Sequence, residues 1–169
     1  SKSSMGFFAT PVSIAAFATA AETFTITVNP TGQVDQIQDQ ILCNADETEA
    51  ITFSTENTGG TTTYAWTNDT PSIGLASSGN GDIGSFNVVN NGNEPVTATV
   101  VVTPSFEGCT GPTETFTITV NPTAEMNDPE DMVVCNAEVT NAVEFTTDNT
   151  GGTTTYTWTN DTPAIGLAA

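Results

Sequence analysis

Apolar and polar residues alternate with a period of two along several short stretches of this chain. In Thr115–Val120, the threonines interleave with Phe116, Ile118 and Val120, which predicts a strand with one face on a core and one in water. Ile51 and Phe53 alternate in the same way, and Tyr64 and Trp66 share a face between Thr63, Ala65 and Thr67. Ile41–Asn44, Ile83–Val89 and Pro95–Thr103 read as further strands, the last carrying Val100, Val101 and Val102. Turn signals separate them: Asn57-Thr-Gly-Gly, Ser78-Gly-Asn-Gly and Asn90-Asn-Gly-Asn. No stretch carries a 3.6-residue apolar stripe. Short strands with a turn every ten residues or so predict an all-β sandwich. Phe53, Tyr64, Trp66, Phe116, Ile118 and Trp158 are its expected core residues.

The pattern recurs. Glu22–Ala76 aligns without a gap to Glu114–Ala168 at an offset of 92, with 36 identities in 55 positions. Thr-Phe-Thr-Ile-Thr-Val-Asn-Pro opens both copies, at Thr23 and Thr115, and Asn-Thr-Gly-Gly-Thr-Thr-Thr-Tyr stands at Asn57 and Asn149. A unit of this size is close to one immunoglobulin-like sandwich. With Asn-Pro as the joint, residues 31–122 form one complete unit, 123–169 the first half of the next, and 1–30 the end of a preceding one. A half-unit leaves a core uncovered. The expectation is a piece of a longer repetitive protein, or else a half-unit completed by a strand from another copy. Residues 1–21 depart from the repeat. They read as a diverged preceding unit, although the apolar run after Lys2 ending in Ala18-Thr19-Ala20 also resembles a signal-peptide core.

Charge narrows the functions open to such a chain. Of 169 residues, 20 are Asp or Glu, one is Lys or Arg and none is His, for a formal charge of −19. Nucleic acid is repelled, phosphate has no clamp, and the commonest general base is missing. Without histidine, the many Ser and Thr hydroxyls have no partner to activate them, and no Gly-x-Ser-x-Gly elbow occurs. No catalytic residue is expected, and the chain is read as no enzyme. Hydrophobic residues at 37% with nine Phe and two Trp nonetheless speak against a disordered acidic tail.

Four features remain as candidate sites. Cys43 and Cys109 lie in the complete unit and Cys135 is the next unit's copy of Cys43, so one disulfide per unit is expected, Cys43 to Cys109, with the partner of Cys135 beyond the chain end. Such a bond implies an oxidising compartment; the alternative is a pair of reduced thiols. Acids gather after each joint (Asp35, Asp39, Asp46, Glu47, Glu49, then Glu125, Asp128, Glu130, Asp131, Glu138). They read either as a Ca²⁺ site that stiffens the joint or as a solvated face keeping a crowded polymer self-repelling. The second reading is preferred, with no cofactor expected. Trp66 and Trp158 read as core plugs rather than sugar-stacking platforms, and Asn68-Asp-Thr and Asn160-Asp-Thr fit the glycosylation sequon.

Phe-Thr-Ile-Thr-Val-Asn-Pro at Phe24 and Phe116, Val134-Cys-Asn-Ala, Gly-Gly-Thr-Thr-Thr-Tyr-x-Trp-Thr-Asn-Asp-Thr-Pro at Gly59 and Gly151, Ile73-Gly-Leu-Ala and Val96-Thr-Ala-Thr-Val together resemble PKD-like repeats. Those repeats occur in very large surface proteins of gliding and related Gram-negative bacteria that use type IX secretion. The resemblance covers about residues 22–169. It implies tandem immunoglobulin-like sandwiches acting as the stalk of a cell-surface adhesin or gliding-motility filament. The implied partners are neighbouring repeats and other copies in a filament, with a surface or glycan bound elsewhere and no membrane insertion. Other functions weighed are a subunit polymerising by strand exchange and a calcium- or carbohydrate-binding module.

Overall fold

A computed structural model describes residues 22–167. Among the described residues the chain is all-β, with six strands and two single-turn 3-10 segments. The strands are β1 (Gln40–Cys43), β2 (Thr62–Asn68), β3 (Ser78–Asn80), β4 (Val96–Phe106), β5 (Cys109–Thr110) and β6 (Glu114–Asn121). They form one mixed sheet in the order β1-β6-β4-β2-β3, with β5 folding back on β4. Every pairing is antiparallel except β1 with β6.

β4 organises the sheet: at eleven residues it is the longest strand, pairing with β2 along one edge and with β6 and β5 along the other. Its inner face is set by the two-residue period: Ala98, Val100, Val102, Pro104 and Phe106 are buried, while the residues between them are only half-covered. β6 repeats the pattern with Phe116, Ile118 and Val120, and Thr97 and Thr119 bond to each other at 3.0 Å on its outer face. Pro104 lies where neither β6 nor β5 is paired with β4, so its missing N–H interrupts no ladder there.

A second layer closes the core. Residues 45–51 run beside 83–88, held by Ala45 N–H to Val88 O (2.9 Å), Thr48 N–H to Phe86 O (2.9 Å) and a reciprocal Ile51–Ile83 pair. Ile51, Phe53, Ile83 and Val88 from this layer pack on Trp66, Val100, Phe116 and Ile118 from the sheet. Tyr64 is half-buried at the edge of the cluster. Trp66 also donates its indole N–H to Gly81 O at 3.1 Å, the satisfied partner that a buried indole needs.

Several expectations are corrected. Ser78-Gly-Asn is a strand rather than a turn: β3 pairs with β2 and carries Gly79 beneath the Trp66 ring, where any Cβ would strike the indole. Thr23–Val28 forms no strand, and Phe24, Ile26 and Val28 are exposed, because no described strand pairs with it. Trp158 is half-exposed rather than a core plug, since nothing among the described residues stands where Val100 and Val102 stand over Trp66. Residues 1–21, read as a diverged unit or a signal-like segment, lie outside the described residues.

The Cys43–Cys109 bond is also overturned. Both thiols are free. Cys43 pairs in register with Asn121, just past the Val96 end of β4, whereas Cys109 pairs with Phe106 at the other end. Eleven residues of extended strand at about 3.3 Å each put roughly 33 Å between those ends. A disulfide needs Cα atoms within about 7 Å.

Candidate functional site

The two ends of β4 define two poles, and the chain enters at one and leaves at the other. At the entry pole, Gly32 N–H donates to Cys109 O (2.9 Å), and Asn57 straps the entering chain by accepting from Gln33 N–H (2.8 Å) and donating to Thr31 O (3.2 Å). Glu107 accepts from Thr61 N–H (2.6 Å), tying the Asn57–Gly60 turn to the β4–β5 hairpin. Gly111 packs its Cα directly on the Gly32 carbonyl, a contact no other residue permits.

At the exit pole, Asn90 is the organising side chain. It is buried, donates to Glu94 O and Val120 O (both 2.8 Å), and accepts from Gly92 N–H at 3.0 Å. Its own N–H donates to Asn44 Oδ1 at 2.8 Å, so one network joins the end of β1, the 90–95 turn and the end of β6.

The segment after Pro122 docks on this pole. Asn44 Nδ2 donates to Thr123 Oγ1 (3.0 Å), Thr150 N–H to Asn93 O (2.8 Å) and Thr150 Oγ1 to Glu94 Oε1 (2.9 Å). Gly151, at φ +72°, lies against the Pro95 ring. Thr150 and Gly151 belong to the Asn149-Thr-Gly-Gly turn, the counterpart of the Asn57 turn at the entry pole. A shallow cavity of about 390 Å³ lies in the angle, lined by Pro95, Asn121, Pro122, Ala124 and the 149–155 turn. The joint is therefore a built contact, with direct hydrogen bonds across it.

The other candidates resolve differently. Among the described residues, no three Cys, Asp or Glu side chains gather where a metal ion could sit. Four of the five acids that follow the first joint instead accept from the protein's own donors: Asp35 from Ser54 Oγ (2.6 Å), Asp39 from Thr117 N–H (2.6 Å), Asp46 from Cys43 N–H (2.9 Å) and Glu47 from Ser85 Oγ (2.7 Å). Asp69 accepts from Thr99 N–H and Thr70 Oγ1, both at 2.8 Å, and the Thr99 amide is the chief reason its carboxyl titrates below its ordinary range. Burial pushes the Tyr64 phenol up, against the opposing hydrogen bond with Thr55.

Asn68 is buried, donates to Leu75 O (3.0 Å) and accepts from Thr70 N–H (3.0 Å), so its amide is committed to the 3-10 turn rather than presented to a glycosylating enzyme. Its copy Asn160 makes the same two bonds on an exposed turn. Among the described residues, no helix is long and apolar enough to cross a membrane. No family model matches this chain, and no curated protein matches it.

Proposed function

We propose that this chain is part of the stalk of a secreted surface adhesin or gliding-motility filament, built from immunoglobulin-like, PKD-like units of about 92 residues. One observation carries the reading: the sequence repeats at an offset of 92, and at the point where one unit would hand over to the next, the second copy's Asn149 turn bonds the first copy's exit pole. Hydrogen bonds across a joint restrict bending, which a stalk needs and a flexible tether does not. The sheet order supports the immunoglobulin-like assignment. β2, β4 and β6 take the places of the C, F and G strands, the 45–53 and 83–88 segments those of B and E, and a buried Trp66 lies on the C strand.

The same reading makes the chain a spacer with no catalytic role, working outside a Gram-negative cell after type IX export. A charge of −19 with no histidine or arginine supports a solvated, self-repelling surface and gives chemistry little to work with. Pulling on a protein containing several units tests it. The expected record is a series of equal unfolding steps, each releasing roughly 300 Å of contour for 92 residues at about 3.6 Å apiece, less the folded length. A single cooperative collapse, or a compact shape in small-angle scattering, overturns it.

Strand exchange is the second reading, favoured by one observation: Phe24, Ile26 and Val28 are exposed at one end while Val133, Val139 and Trp158 are exposed at the other. It predicts concentration-dependent chains of copies, blocked by Ile26→Lys. A monomer at all concentrations overturns it.

A further inference from the structure

We propose that the outer face of the sheet is a self-association surface, on which a second copy of this chain packs face to face. The inference goes beyond the stalk reading and does not require it. The two-residue period that builds the core also builds this face. β2, β4 and β6 turn three, five and four side chains outward; eight are threonine, and the others are Ala65, Val101, Ser105 and Asn121. Their neighbours on the edge strands, Ile41 and Cys43 of β1 and Ser78 and Asn80 of β3, are uncharged as well. In a chain with a formal charge of −19, none of these outward positions carries a charge.

Acids stand at the margins of the face and are committed there. Asp39, just before β1, accepts from Thr117 N–H at 2.6 Å, and Asp69, just past β2, accepts from Thr99 N–H at 2.8 Å. Like charges that meet across an interface oppose binding, so two copies of this chain repel wherever their carboxylates face each other. The outer face is where they close without that opposition. Its neutral hydroxyls and methyls give a charged partner nothing to pair with. Nor does it offer a sugar an aromatic platform, because Trp66 is buried and Tyr64 packs against the core cluster.

The face is also shaped to meet itself. Ile41, 74% exposed, stands at one corner, in register with Thr119 and through it with Thr97. Diagonally opposite lies a shallow depression of about 610 Å³, whose lining includes Thr63, Ala65, Thr103 and Ser105. A two-fold axis lying in the face between them seats each copy's Ile41 in the other's depression, the isologous contact of a symmetric dimer. Val101, flanked by Thr67 and Thr115, lies between those corners. The hydroxyls offer little resistance to drying: Thr97 and Thr119 bond each other at 3.0 Å, and Thr63 Oγ1 donates to Ser105 O at 3.3 Å.

Area sets the strength. Five strands about 4.8 Å apart, over seven paired residues at about 3.3 Å each, give roughly 500 Å² per copy, or about 1,000 Å² for a pair. That is the lower limit of a specific interface, so one pair of faces holds weakly. Several units in series would repeat the contact, and linked contacts multiply.

Sedimentation of the 169-residue chain, with its thiols kept reduced, is the test. Between about 10 µM and about 1 mM, the average mass is expected to rise from monomer toward dimer. The rise is expected to be larger in about 0.5 M salt than in about 0.05 M, because salt screens the charge that keeps copies apart. Ile41→Glu and Val101→Glu are each expected to weaken association at least about tenfold. Gln36→Glu, which adds the same charge at an exposed position off the face, and Ile26→Lys, which blocks strand exchange, are expected to leave it unchanged. A tryptophan protected from quencher shows that each variant is folded, and Ile41, on an exposed edge, keeps the test open if Val101→Glu does not fold. A monomer throughout, dimers that salt disperses, or association that survives the glutamates overturns the proposal. So does a monomer retained by a neutral polysaccharide through Val101, which gives the face to a glycan.

Discussion

Residues 31–75 and 123–167 are near-copies in sequence and agree turn for turn in structure, yet only the first is buried and paired into sheet. Both carry the Asn turn (Gln33 N–H to Asn57 Oδ1, 2.8 Å; Glu125 N–H to Asn149 Oδ1, 2.9 Å) and the same Pro-led 3-10 turn ending in a left-handed glycine, Gly74 at φ +101° and Gly166 at +94°. Both set Phe against Tyr, with ring centroids 5.3 Å apart for Phe53–Tyr64 and 5.7 Å for Phe145–Tyr156. Burial separates them. Trp66 is 7% exposed and Trp158 48%; Ile73 is 0% exposed and Ile165 72%. Thr62–Asn68 is a strand, and residues 154–160 are not. The difference is β4 and β6, which the first copy has and the second lacks among the described residues. Turns are satisfied by side chains a few residues away. Strand pairing and apolar burial need partners that arrive much later, 32 to 44 residues on for β2 against β4 and 78 for β1 against β6.

Removing the central plug breaks the comparison most sharply. Trp66→Ala is expected to cost about 3–5 kcal/mol in urea denaturation, and Trp158→Ala only about 0.5 kcal/mol. Equal costs would mean that the second copy holds a core of its own. Appending a copy of residues 78–122 after position 169 turns this contrast into its own control, because the cost of Trp158→Ala is then expected to rise to that of Trp66→Ala.

Gly79→Val comes next, at about 1–3 kcal/mol from overpacking against the Trp66 ring, read as a lowered urea midpoint with an unchanged slope. Asn68→Ala is expected to cost about 1–3 kcal/mol because it strands buried partners, against about 0.5 kcal/mol for Asn160→Ala on its exposed turn.

The smallest contrast is electrostatic. Asp69 reaches the Thr99 amide of β4, whereas Asp161 has only Thr162 beside it. Folding lowers the Asp69 pKa, so its contribution is present at neutral pH and is lost as the pH falls through the folded value. Asp69→Ala should lower the melting temperature at pH 7, with the gap narrowing below about pH 4, while Asp161→Ala, on an exposed turn, should leave the pH 7 melting temperature nearly unchanged. A gap that persists in acid would assign the effect to packing.

Much of the sheet was legible from alternation alone. Phe116, Ile118 and Val120 point inward because successive side chains on a strand face opposite ways, and no longer-range information is needed to say so. The alternation of Ile51 and Phe53 and the Ile83–Val89 stretch were legible as extended, though this layer pairs through isolated bridges rather than a full ladder. Ser78-Gly-Asn misled, because glycine there answers to the Trp66 ring across the strand rather than to a turn. The joint was half-legible: Asn149-Thr-Gly-Gly reads as a turn, but its grip on Asn93 and Glu94 depends on where two distant loops meet.

Local chemistry, written residue by residue, was enough to settle that this protein is all-β, where most of its turns fall, and that its acids outnumber its cations twenty to one. Tertiary structure decided what lies next to what. The parallel register of β1 on β6 carries Cys43 to the exit pole, the hairpin at Phe106 carries Cys109 to the entry pole, and only β4 and β6 make a tryptophan into a core. Turns close over a few residues at little entropic cost, whereas register and burial are collective properties of strands far apart in the chain.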